Sequence, residues 1–294
     1  MVRGIIYSVL SALGFSTLPV FAKLCYDAGF TSTQMLFYRF TFGALSIVVF
    51  LVLTGKLPVL MTSKANIVRI MLVAVCLFLP QAFFFVSSVK YISAVTTELI
   101  FYFYPTAVIL ISWAVLRKQL NRLHLIAAVT AFAGSALVLY EAFASDVNIT
   151  GMGFAFAAML MFSTYIIITR NILDNIDAFA LTFFFMLTAS TVLFFITGTD
   201  VFHLTPYQLF LAVLIGIVPS SMSTILLYKA LKEIGSSLTC IASSIEPVFT
   251  VILAHMLLKE TTAAAQFIGM FMIIVGIIIP AYGHAGKKSK PSVS

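Results

Sequence analysis

Apolar runs long enough to cross a bilayer follow one another along almost the whole chain, and this recurrence leaves little choice of fold. They fall at about 4–23, 32–54, 67–89, 93–115, 123–141, 151–169, 179–197, 207–228, 237–258 and 264–282, punctuated by charged or turn residues. A spanning helix needs about 20 apolar residues, so a chain of 294 residues accommodates ten such spans on short loops and no sizeable soluble domain. Charged residues make up 9% of the chain, against about 25% in a soluble domain, which excludes a water-soluble fold. The sequence therefore predicts an all-α integral membrane protein with ten transmembrane helices.

The net charge of +7 would suggest a nucleic-acid partner in a soluble protein, but here topology accounts for it, and no nucleic acid is expected. With the N-terminus inside, the cytoplasmic segments hold Arg3, Lys56, Lys64, Arg69, Arg117, Lys118, Arg122, Arg170, Lys229, Lys232, Lys287, Lys288 and Lys290. The outer ends hold Lys23, Lys90 and Lys259, and Arg39 lies inside a span. The positive-inside rule then places both termini in the cytoplasm of a multi-pass inner (plasma) membrane protein, with membrane lipid as its surroundings. No small-residue cleavage site follows the first run, so a retained first helix is expected. The basic tail reads as a solvated topology anchor. Cys25, Cys76 and Cys240 lie far apart and outside any metal or disulfide spacing, and the histidines show no HxxxH or HExxH pattern. No metal, cofactor or catalytic residue is expected.

The two halves of the chain also repeat. At an offset of 147, Gly4, Phe15-Ser16-Thr17 and Lys23 fall on Gly151, Phe162-Ser163-Thr164 and Arg170. At 139, Pro80 and Lys90 fall on Pro219 and Lys229; at 142, Thr97, Pro105, Leu116, Arg117, Gly134 and Tyr140 fall on Thr239, Pro247, Leu258, Lys259, Gly276 and Tyr282. Matched prolines, glycines and basic residues in one order predict two five-helix repeats, residues 1–146 and 147–284, followed by a basic cytoplasmic tail at 285–294. Because five is odd, the second repeat enters the membrane from the opposite side, giving an inverted duplication of the kind secondary transporters use for alternating access.

Leu227-Tyr228-Lys229-Ala230-Leu231, Ser244-Ile245-Glu246-Pro247-Val248 and Leu257-Leu258-Lys259-Glu260, with Gln266, Gly269 and Gly276, resemble the second repeat of EamA-type transporters of the drug/metabolite transporter superfamily. Tyr38-Arg39-Phe40 resembles the Arg-Phe step of the first repeat. The resemblance covers about the whole chain. It implies a ten-helix carrier with a central cavity, mostly exporting small metabolites, amino acids or drugs, with some members performing uptake. The chain departs from the pattern at Lys259, where a glycine usually precedes the family glutamate, and at Lys118 and Ala127, where a glutamate and a glycine are common.

Ionisable groups inside spans are expensive and face a cavity or a partner. Arg39 lies about seven residues, and Glu98 about five, into helices entering from outside, roughly 8–11 Å deep at ~1.5 Å per residue. Their similar depth suggests a pair, either a strut between helices or a clamp for the charged ends of a zwitterion. Glu246 lies near the middle of its span, and Thr239, Ser243, Glu246 and Thr250 share one helical face. That stripe reads as cavity wall, with Glu246 a substrate ligand or a carboxylate protonated and released during transport; the structural alternative has Glu246 supporting backbone opened by Pro247. Tyr102 and Tyr104 offer rings and hydroxyls, and Gln81 and Tyr165 are further cavity candidates; Gln81, Ser220 and Ser221 stand beside the matched prolines, where they can cap freed carbonyls or meet substrate. Pro80, Pro105, Pro219 and Pro247 remove helical hydrogen bonds at matched positions and read as hinges of a rocking carrier or, alternatively, as static kinks that shape the packing.

The leading reading is a secondary carrier for a small organic molecule such as an amino acid, amine or drug-like compound. Protons are a candidate coupling ion, and a monomer suffices, with a dimer left open. The alternatives are an uptake permease of the same fold, a multispan membrane enzyme or an accessory protein. No Walker motif is present, which argues against direct ATP drive, and no serine has a histidine placed as a catalytic partner.

Overall fold

The computed structural model describes residues 2–116, 148–198, 203–259 and 264–285, together with 126, 129–130, 133–134 and 137. Among the described residues the chain is helical throughout, without strands. In order the helices are α1 (Val2–Phe15), α2 (Leu18–Asp27), α3 (Ser32–Leu53), α4 (Lys64–Val73), α5 (Leu79–Tyr91), α6 (Ala94–Phe101) and α7 (Tyr104–Leu116). Then follow α8 (Ile149–Ile172), α9 (Ala178–Thr197), α10 (Pro206–Gly216), α11 (Ser223–Ala242), α12 (Glu246–Leu253) and α13 (Ala264–Ala285).

Among the described residues, six helical runs are long and apolar enough to cross a membrane: Val2–Asp27, Ser32–Leu53, Lys64–Tyr91, Ile149–Ile172, Ala178–Thr197 and Pro206–Gly235. Of the other expected spans, 93–115 and 237–258 are interrupted helices, and 264–282 lies within α13. The span expected at 123–141 falls mostly outside the described residues, as does all of the basic tail beyond Ala285.

Helix starts are written locally. Thr31 accepts from the Gln34 backbone N–H while the Gln34 side chain accepts from Thr31, a capping box opening α3. Thr205 and Gln208 do the same for α10, with Pro206 in the first turn, where its missing N–H costs nothing. Ser63, Ser93, Asn148 and Asp177 cap α4, α6, α8 and α9.

The interruptions are where prolines deny the backbone its next hydrogen bond. A π-helical turn, Ala74–Phe78, precedes Pro80, and another, Ile217–Met222, contains Pro219. The break between α6 and α7 precedes Pro105, and a 3-10 turn, Ser243–Ile245, precedes Pro247. A fifth break, at Ser16 and Thr17, precedes Pro19. Its repeat counterpart is the uninterrupted helix α8, which has Ile166 where the first repeat has Pro19. At the second of these π turns, serine hydroxyls take up released carbonyls: Ser220 donates to Ile215 O at 2.7 Å and Ser223 to Val218 O at 2.7 Å. Ser221 donates to Ile217 O at 3.2 Å.

The halves exchange equivalent contacts. α1 packs on α11, and its repeat counterpart α8 packs on α5. A Cβ on Gly4 would lie 2.5 Å from Ile234 Cγ2, and one on Gly151 would lie 2.9 Å from Ile92 Cγ2. These two close approaches are related by the repeat offsets. Serines fasten α1 to the other half: Ser8 donates to Thr239 O at 2.8 Å, and Ser11 to Ser223 O at 2.7 Å. Between α3 and α10 the backbones touch at Gly43 and Gly216, where a Gly216 Cβ would meet Gly43 N at 3.0 Å and Arg39 O at 3.1 Å.

The Lys259 departure acquires a structural meaning. Lys259 has φ +55°, the sole positive φ outside glycine among the described residues. It follows the π-helical turn Ala254–Leu258, so the chain ends this helix through a left-handed residue. A glycine adopts that conformation freely, whereas here a lysine Cβ is crowded against the carbonyl.

Candidate functional site

The helix breaks surround a cavity lined by residues of both halves. Arg39 from α3, Gln81 and Phe85 from α5, and Glu98 from α6 contribute from the first half; Phe162 from α8, Ser243 from the 3-10 turn and Glu246 from the start of α12 contribute from the second. Phe15, Leu18, Ala82, Phe101, Tyr104 and Leu227 complete the wall. The volume open to the centres of water molecules is about 50 Å³, room for about four waters at ~10–15 Å³ each.

The wall is aromatic on one side. Phe101 packs against Phe85 and Phe162 with ring centroids 4.9 and 5.0 Å apart, and Tyr104 meets Phe162 edge-on at 5.0 Å. Beyond Phe162 the rings continue through Tyr165 to Phe78 and Phe185.

Arg39 is 5% exposed, with its Cζ 5.3 Å from the Phe40 ring centroid. Its Nε donates to Ser220 Oγ at 2.7 Å. Ser220 commits its one O–H to Ile215 O, so toward Arg39 it acts as acceptor. The π turn therefore does more than bend a helix: it frees the carbonyl that fixes the serine that orients the guanidinium. Among the described residues Arg39 has no carboxylate partner; the ion pair found there is Arg170–Asp174, at the other end of α8 from the N-cap Asn148.

Arg39 and Glu98 thus line the same cavity without the direct pairing their similar depth suggested. Glu98 instead faces Glu246, the two carboxyl groups lying within hydrogen-bonding reach of each other. Both are buried, at 2% and 7% exposure, and Glu98 Oε1 has no hydrogen-bond partner among the described residues. Thr239, Ser243, Glu246 and Thr250 are all buried, although the stripe runs through the 3-10 turn rather than along one continuous helix. Its hydroxyls bind neighbours: Ser243 Oγ lies 3.0 Å from Ser8 Oγ, and Thr250 donates to Ser16 O at 3.3 Å. Thr250 also donates to Glu246 O, the carbonyl four residues back.

Of the other sequence candidates, Gln81 and Tyr104 line the cavity. Tyr102 is fully buried with its ring 5.6 Å from that of Tyr104, and Tyr165 is buried behind Phe162; neither lines the cavity. Pro80, Pro105, Pro219 and Pro247 all sit at helix breaks. Sequence reasoning missed Phe15, Leu18, Ala82, Phe85, Phe101, Phe162 and Leu227. One signal was available: Phe15 and Phe162 are the repeat-matched phenylalanines, and both line the cavity.

A multi-helix membrane bundle with a charged cavity between its halves is the architecture of a transport protein. The model of the EamA-like transporter family matches residues 2–140 and again 149–281, and the chain belongs to that family. It is 21% identical over 289 residues to an uncharacterized transporter of Clostridium kluyveri, covering 95% of this chain and 93% of the relative. It is 24% identical over 212 residues to the uncharacterized transporter YwfM of Bacillus subtilis, covering 71% and 72%. A solved crystal structure matches with a TM-score of 0.72 at 18% identity over 98% of this chain and 99% of that one, which shows the shared fold. The chain is a multi-pass membrane transporter by family.

Proposed function

We propose that the protein is a secondary carrier built of ten transmembrane helices in two inverted repeats, 1–146 and 147–284, with both termini and the 285–294 tail in the cytoplasm. It sits in a bacterial-type inner membrane and exports a small organic metabolite by alternating access, as a monomer. The observation that carries this reading is the cavity, whose charged groups come from both halves: Arg39 and Glu98 from one, Glu246 from the other. A solute bound there touches both halves at once, so rocking one against the other changes the side from which it is reached.

The site favours a substrate with a charged amine, alone or as part of a zwitterion. The Arg39 guanidinium suits a carboxylate, the carboxyl pair suits an ammonium, and the phenylalanines suit a short apolar body. The confined volume favours amino-acid-sized or smaller molecules over larger drugs. The test is counterflow in proteoliposomes against labelled amino acids, polyamines, nucleosides and organic cations, comparing native protein with Glu246→Gln. Saturable exchange of an amine or amino acid that the variant loses supports the reading. Exchange of an uncharged class, or exchange of an amine that the variant leaves intact, refutes the assignment of the site. Uptake without export in oriented vesicles reverses the direction.

A further inference from the structure

We propose that Glu98 and Glu246 form one site that holds a single exchangeable proton between them, and that the ammonium group of a substrate and this proton compete for it. The inference rests on the carrier reading for its consequence in transport, but the site itself does not.

The argument is one of donors. Two carboxyl groups from helices that pack together, α6 and α12, lie within hydrogen-bonding reach in the cavity wall. A hydrogen bond between them requires one of them to bring a proton, since an ionised carboxylate only accepts. Glu98 Oε1 has no donor among the described residues, and the Arg39 guanidinium, which could have supplied one, is anchored to Ser220 and makes no ion pair with either carboxylate. Two adjacent carboxylates away from water cannot both stay ionised, which is the logic by which paired carboxyl groups share a proton.

None of the remaining lining groups is a further carboxyl group or an ammonium. From α3 the facing charge is Arg39, and from the start of α7 the titratable neighbour is Tyr104. The lining residues from α2, α5, α8 and α11 are Leu18, Gln81, Ala82, Phe85, Phe162 and Leu227, none of which titrates. Tyr102, Tyr165 and Tyr228 lie further back, among the buried rings. With one shared proton, the pair and Arg39 together are neutral. An arriving ammonium offers the pair a cation with several donors and releases the proton, so a monovalent amine exchanges for one proton without net charge movement.

The repeat makes the pair asymmetric. At the offset of 142, Glu246 corresponds to Tyr104 and Glu98 to Cys240. Each half supplies one carboxyl group at a different position along its broken helix, so the protein has one such site, not two related by its pseudosymmetry. Because the partners stand on different halves, relative motion of the halves is also able to separate them.

The test is infrared spectroscopy of the full-length protein in lipid, following the C=O band of protonated carboxyl groups with methylammonium as the probe. In native protein at neutral pH the expected result is a band that shifts in heavy water, shifts again on carboxyl-13C glutamate labelling, and falls when methylammonium is added. Glu98→Gln and Glu246→Gln should each move or remove it, because the O–H···O unit has one member on each helix. A missing glutamate band, a band that one of these substitutions leaves unmoved, or indifference to methylammonium overturns the proposal. The band assignment and probe response in native protein stand even where a variant fails to fold. Since nothing need be transported, a failed counterflow assay with this signature intact refutes the carrier reading alone, and active counterflow without it refutes the shared proton alone.

Discussion

Gly216→Ala tests how tightly the first half is held to the second. A Cβ at this position would lie 2.6 Å from Phe42 Cβ, 3.0 Å from Gly43 N and 3.1 Å from Arg39 O. Two of these three atoms are backbone, so no rotamer change relieves the clash, and α3 must move bodily away from α10. Carbon contacts are comfortable at about 3.5–4.0 Å, which sets the retreat at roughly 0.5–1 Å. Overpacking of this kind costs about 1–3 kcal/mol. The same retreat stretches the bond from Arg39 Nε to Ser220 Oγ, now 2.7 Å, toward or beyond the ~3.2 Å limit of a good hydrogen bond. Stability and substrate affinity should therefore fall together. The assay is equilibrium unfolding in mixed micelles titrated with dodecyl sulfate, paired with counterflow. Gly153→Ala is the control, since a Cβ there meets nothing within 4 Å and alanine is the better helix former by about 1 kcal/mol in water. If Gly216→Ala unfolds and transports like Gly153→Ala, the glycine contact is not what holds α3 against α10.

Four further outcomes follow from single contacts. Lys259→Gly should stabilise the protein by about 1 kcal/mol, because it removes a side chain from left-handed backbone, and unchanged unfolding would show that Lys259 is not strained. Ser8→Ala removes a donor to Thr239 O and a neighbour of Ser243, and should cost about 1 kcal/mol in the same unfolding titration. Arg39→Lys keeps the charge but loses the Nε–H that donates to Ser220 and so the fixed plane of the guanidinium, and its counterflow half-saturation should rise about tenfold, a loss of ~1.4 kcal/mol. Arg170→Ala breaks an exposed pair with Asp174 and should change stability by less than about 0.5 kcal/mol; a larger loss would mean that the pair is not merely a surface contact.

Much of the helical architecture could be read from the residues because its determinants are local. The capping boxes at Thr31 and Thr205 and the prolines at 19, 80, 105, 219 and 247 act within a turn of where they stand, and the helix starts and interruptions follow them. Local signals misled where a neighbour decided the outcome. Equal depth suggested Arg39 beside Glu98, yet a π turn in a helix about 180 residues away supplies Ser220 and takes the guanidinium's Nε. Lys259 looked like a minor departure from the family pattern until its backbone showed why a glycine suits that position.

By itself the sequence determined that this chain lives in a membrane, roughly where its apolar runs cross, that its halves repeat, and which buried charges demand partners. Those properties depend on composition, on spacing and on the high cost of ionised groups in lipid. Only the tertiary structure decided that Glu98 meets Glu246, that Gly43 touches Gly216, and that Tyr165 stays behind the cavity wall. The physical reason is that lipid is as apolar as a packed helix face, so the alternation that marks an inward face in a soluble protein is weak here. Which faces meet is settled by close packing of small residues and by side-chain hydrogen bonds between segments far apart in the chain.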